Sequence, residues 1–132
     1  MEEKFFVNYV RSYKAKFAIN AQLNALIDVC HGVAKECGWW DNGDRNTGEL
    51  LMLCVSELAE AMEGDRKGIM DDHLPNRKMF EVELADALIR ILDLCGAKHI
   101  DVAGAMAEKL DYNTRRLDHK PEVRAAEGGK KY

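Results

Sequence analysis

Two pairs of acids constrain this chain more than any other feature: Glu57-x-x-Glu60, then Glu83-x-x-Asp86 after 22 intervening residues. Each pair interrupts an otherwise apolar stretch with helical spacing, and residues three apart on a helix share a face. Each stretch therefore offers two acids on one face, with flanks that favour burial. Buried carboxylates are costly unless a cation meets them. Four acids converging in a helical core are best explained by Mg²⁺, an ion that takes carboxylate and water oxygens.

The stretch 77–95 makes the case most sharply. Val82, Leu84, Ala85, Leu88, Ile89, Ile91, Leu92, Leu94 and Cys95 cover most of its circumference, leaving Glu83, Asp86, Arg90 and Asp93 as one narrow polar stripe. A helix apolar on most sides is usually buried. On a solvated face, Arg90 would pair with Asp86 or Asp93 at helix spacing. The stretch 47–63 repeats the arrangement, with Thr47 as its N-cap and Glu57 and Glu60 breaking an apolar pattern. A lone E-x-x-E is common on helix surfaces. Two acidic pairs on two apolar helices are more specific.

The remaining blocks complete an all-α reading. Residues 18–37 place Leu23, Leu26, Ile27, Cys30, Val33, Ala34 and Cys37 on one stripe, ended by Gly38. Trp39 to Asp44 form a loop, in which one tryptophan is core and the other is free to stack on a flat ligand. Gly64 to Asn76 is a linker, either a lid or only a connection. Gly96 is a stop, and Asp101 opens a helix running to about 117. On it Lys109, Asn113 and Arg116 fall in line, a set suited to polyphosphate oxygens or to a solvated face near a helix end. The expected fold is a bundle of about four main helices. Residues 1–17 form an N-terminal extension with a short amphipathic helix within 1–16, 18–118 the functional domain, and 119–132 a polar tail.

A chain of 132 residues, 47% hydrophobic and 32% charged, reads as one soluble domain. Its net charge of −4 argues against coating a nucleic-acid polymer. No apolar run is long enough to cross a membrane, and Met1-Glu-Glu-Lys lacks the layout of a secretion signal, so a cytoplasmic protein is expected. Cys30, Cys37, Cys54 and Cys95 contain no C-x-x-C pair and read as buried small hydrophobes. There is no phosphate-loop motif and no E-x-x-H of a di-iron bundle.

Three segments together resemble the MazG-like nucleoside triphosphate pyrophosphohydrolases of the all-α NTP pyrophosphatase superfamily. They are Ser56-Glu57-Leu58-Ala59-Glu60-Ala61, Glu83-Leu84-Ala85-Asp86-Ala87-Leu88-Ile89, and Lys109-Leu110-Asp111-Tyr112-Asn113-Thr114-Arg115-Arg116. They match E-x-x-E, E-x-x-D and K-x-x-x-N-x-x-R in order, and the likeness covers roughly residues 20–120. The Asp118-to-Glu122 stretch and the Gly-Gly-Lys tail look like the short single-domain forms, including those of phages. The resemblance implies cleavage of an NTP or dNTP to the monophosphate and pyrophosphate, as nucleotide-pool house-cleaning. It implies Mg²⁺, with Mn²⁺ as a substitute, on Glu57, Glu60, Glu83 and Asp86, which are also the catalytic acids. It implies triphosphate contacts from Lys109, Asn113 and Arg116, base contacts from His31 and Trp40 with Trp39 competing, and assembly into a dimer or tetramer. Where several relatives carry tyrosine, this chain has Arg90, placed to touch phosphate or to neutralise Asp93. The alternative is a nucleotide- or metal-binding regulatory module without turnover. A third reading, an interaction protein with solvated acids, predicts no effect of Mg²⁺ on melting.

Overall fold

The computed structural model describes residues 4–130. Residues 1–3 of the N-terminal extension and 131–132 of the tail lie outside the described residues. Among the described residues six α-helices follow in order: α1 Phe5–Tyr9, α2 Tyr13–Glu36, α3 Thr47–Lys67, α4 Met79–Ala97, α5 Val102–Asn113 and α6 Pro121–Ala125. A 3₁₀ turn, Leu117–His119, precedes α6. Four of the helices, α2 to α5, are long, as the apolar periodicity predicts. There is no strand among the described residues, and a lone antiparallel bridge joins Met70 to Lys78. No described helix is long and apolar enough to cross a membrane.

The chain divides into two compact units. One spans Ala25–Ile100; the other combines the chain up to Asn24 with the chain from Asp101 on. In the Ala25–Ile100 unit, α3 and α4 form an antiparallel hairpin. A Cβ on Gly64 would lie 2.9 Å from the Met79 side chain, and farther along α3 Glu57 meets Arg90. Leu50, Cys54 and Ala61 of α3 and Ala87, Leu92, Leu94 and Cys95 of α4 are buried, with Ile27 of α2. In the other unit Ala15, Ala103 and Ala107 are buried. There Arg11 donates to Thr114 Oγ1 at 2.9 Å and lies 3.8 Å from Asp111.

Several boundaries differ from the sequence expectation, each for a local reason. α2 begins at Tyr13 rather than 18, because the Ser12 hydroxyl accepts from the Ala15 amide at 3.2 Å. The cap of α3 is Asn46, not Thr47: its side chain accepts from the Glu49 amide at 3.0 Å. Gly64 does not end α3. The helix runs on to Lys67 and stops at Gly68, whose φ of 62° is left-handed. The expected linker is accordingly shorter, and it is folded. Asp71 is buried and its carboxylate accepts from the amides of His73 and Leu74 at 2.9 and 2.7 Å. Gly96 lies inside α4, which ends one residue later. Asp101 caps α5 as expected, accepting from the Gly104 amide at 2.9 Å. That helix ends at Asn113, short of 117, and the tail contains α6. Cys54 and Cys95 are buried, but Cys37 is exposed at the end of α2.

Candidate metal centre and adjoining cavity

Helix spacing brings three of the four acids together across α3 and α4. Glu57 and Glu60 lie one turn apart on α3, with Glu83 opposite on α4, and each offers an oxygen within 4.8 Å of the others. Glu57 and Glu83 are buried, at 7% and 8% exposure, whereas Glu60 is open to solvent. Burial above all, then hydrogen bonding to Glu57 and the charges of Glu60, Glu57 and Asp86, hold the Glu83 carboxyl up at about 7. The fourth acid, Asp86, is half-buried and stands outside this trio, lining a cavity beside Glu57. Burial first, then the Glu57 charge, raises its carboxyl too, with Arg90 acting the other way.

The donor chemistry fits an oxygen-seeking divalent ion. Three hard carboxylates converge, two of them largely dry, which is the donor set such an ion takes. Arg90 supplies positive charge of its own: its Nε donates to Glu57 Oε1. The helix-spaced partners expected for Arg90, Asp86 and Asp93, give way to this cross-helix pair because Asp93 is already engaged. Asp93 accepts from Trp40 Nε1 at 2.9 Å and lies 2.8 Å from His31 Nδ1.

A cavity of about 400 Å³ opens beside the acids. One wall is the apolar face of α2, with Val29, Cys30, Val33 and Ala34, continued by Cys37 and by Ile89 of α4. Trp39 and Arg45 border it, and its charged end holds Glu57, Asp86, Arg90 and Asp93. The volume is that of a small-molecule site. Glu57 belongs both to the three-carboxylate cluster and to the cavity lining.

The aromatic residues take different places. Trp39 is 65% exposed and lines the cavity. Trp40 and His31 meet edge to face at 5.6 Å and share Asp93, bordering a separate depression with Lys35 and Asp44. The Arg45 guanidinium lies 5.9 Å from the Trp39 ring and 5.5 Å from the Trp40 ring, in cation–π contact with both. The sequence pattern gave no sign of Arg45. An arginine in a polar loop carries no spacing signal, and only its position over two rings reveals it. Asp93 was visible only as a member of the polar stripe.

Lys109, Asn113 and Arg116 belong to the other unit. Lys109 Nζ lies 4.7 Å and the Arg116 guanidinium 6.0 Å from the Tyr112 ring. Arg116 Nε donates to Asp118 at 2.9 Å, and Lys130 lies 3.4 Å from the same carboxylate. The Arg116 hydrogen bond, foremost, pulls the Asp118 carboxyl down to about 2. Asn113 Oδ1 is buried without a hydrogen-bond partner among the described residues.

No family model matches the chain, and neither does any curated protein or solved structure.

Proposed function

We propose that the protein is a Mg²⁺-dependent nucleotide pyrophosphohydrolase of the MazG-like type, cleaving an NTP or dNTP to the monophosphate and pyrophosphate. The observation that carries this reading is a three-carboxylate cluster that shares Glu57 with the lining of a cavity walled largely by apolar side chains. A nucleotide needs both: a dry slot for the base and a cationic centre for the phosphates. Glu57, Glu60 and Glu83 hold the ion, with Asp86 completing the set at the cavity rim. Mg²⁺, when bound, supplies the charge that neutralises the triphosphate. A carboxylate of the cluster positions the attacking water and takes its proton. The family resemblance, rather than any geometry, assigns Lys109, Asn113 and Arg116 to the phosphates. The base lies against the α2 wall beside Trp39, while His31 and Trp40 fix Asp93 behind it. Mn²⁺ substitutes for Mg²⁺, and the cellular role is nucleotide-pool house-cleaning in the cytoplasm.

The same reading includes a homo-oligomer. Leu51, Val55, Leu58 and Met62 are all about half exposed along α3, at the 4-3-4 spacing of a helix–helix seam. Leu84 and Leu88 of α4 are exposed as well.

The test is release of pyrophosphate from a panel of NTPs and dNTPs, with Mg²⁺ and with EDTA. Mg²⁺-dependent pyrophosphate with monophosphate as co-product is expected. Glu60→Gln should lose most of that activity, about 100-fold or more, while melting as the wild type does, because Glu60 is exposed. Orthophosphate release, or full activity in Glu60→Gln, would sink the assignment.

A further inference from the structure

Arg90 occupies an unusual position for a surface arginine. Its side chain is 39% exposed, yet it reaches across the hairpin to Glu57, whose side chain is 10% exposed. Glu57 is therefore claimed twice, by the ion pair and by the carboxylate cluster. A divalent ion drawing on all three acids would sit a few ångströms from a guanidinium that never loses its charge. At that separation, beside the buried Glu57, such like charges repel. The two cations compete for Glu57.

Arg90 also has a place to go. It lines the cavity itself, and Asp86 and Asp93, one turn to either side on α4, line it too. A guanidinium released from Glu57 stays within that charged end, on a long flexible stem. Its planar fork matches phosphate oxygens two at a time.

We propose that Arg90 is a resident counter-ion for the metal site, displaced from Glu57 by the divalent ion and turned into the cavity as a clamp on substrate phosphate. This rests on the Mg²⁺ reading above. It makes Arg90 a positioning residue while the site lacks metal and a substrate contact afterwards. Metal loading and phosphate binding would then be coupled through one side chain: the ion frees the arginine that the substrate needs.

Two affinities measured on Arg90→Met test the exchange. The first is for Mn²⁺ alone, read by electron paramagnetic resonance of the free ion. The second is for a triphosphate carrying a non-hydrolysable α,β-methylene bridge, read by calorimetry in saturating Mn²⁺. The variant should bind Mn²⁺ about tenfold tighter and the analogue about tenfold weaker, each the size of one charge-assisted hydrogen bond. Opposite signs are the signature, because a merely structural arginine would weaken both. Weakening of both, or unchanged Mn²⁺ affinity in Arg90→Met while Glu60→Gln abolishes binding, overturns the exchange and leaves the metal site standing. No Mn²⁺ binding by the wild type or by Arg90→Met overturns the metal site and the exchange with it. Should Arg90→Met fail to fold, Arg90→Gln keeps a donor for Glu57 without the charge and reads the same two affinities.

Discussion

Glu83 makes the metal-free protein sensitive to pH. Its carboxyl is raised from 4.5 to about 7, by burial before anything else. A group raised on folding contributes stability that is fully present below its unfolded value and lost as pH climbs through its folded one. In EDTA, the melting temperature should therefore fall as pH rises from 4.5 to about 7. Asp44, Asp111 and Asp118 are lowered instead, so they act in more acid solution, whereas Asp86, also raised, adds to the fall. Saturating Mg²⁺ should flatten the fall, and Glu83→Gln should reduce it. A melting temperature that climbs across the window in EDTA would refute the placement of Glu83. The two tryptophans should also separate in behaviour. Trp40→Phe loses the indole donor to Asp93 and should lower the melting temperature, by roughly 1–3 kcal/mol of stability. Trp39→Ala should leave melting nearly unchanged and raise KM for the nucleotide. Equal effects on both readouts would show that the two rings do not divide the work this way.

Among the helices, the close approach of α2 to α4 at Gly96 carries the most consequence. A Cβ there would lie 2.6 Å from His31 Cβ, an atom fixed to the α2 backbone rather than the end of a flexible chain. Gly96→Ala should cost roughly 1–3 kcal/mol by forcing the helices apart, read as a loss of melting temperature. Stability equal to the wild type would mean that the helices do not meet there. Gly96 also shows what the sequence could and could not tell. The apolar period disclosed the four long helices, but glycine read as a stop at 64 and 96 was in fact a point of contact. Gly68, with its left-handed backbone, was the true stop. Helix starts slipped at Ser12 and Asn46 because a short polar side chain caps from just outside the periodic stretch, where no period marks it. The acids were legible because a pair of carboxylates inside an apolar run is costly to bury and so stands out from its flanks. Arg90's partner was not, because helix spacing reports neighbours on one helix and Glu57 lies on another.

At the scale of the whole chain, the apolar circumference that suggested burial is only partly buried. Leu58 and Met62 of α3 and Leu88 of α4 are 49%, 58% and 60% exposed. Half-exposed apolar side chains of α3 and α4 are the kind of surface that a helix–helix interface covers. On the proposed reading a second copy covers them. Light scattering after size exclusion should give a multimer for the wild type and a monomer for Leu58→Glu. A wild type that runs as a monomer at micromolar concentration would remove the oligomer from the proposal.

The cavity is built from two sources with separate duties. Its apolar wall comes mostly from α2, at Val29, Cys30, Val33 and Ala34, while its acids and arginine stand on α3 and α4. Under the proposed activity, exchanging Val29 or Val33 reshapes what the slot accepts and leaves every reacting group where it was. Selectivity can then drift by single substitutions while the chemistry is conserved. One scaffold of this kind is able to give rise to a set of descendants that differ in the nucleotide they accept and agree in how they cleave it.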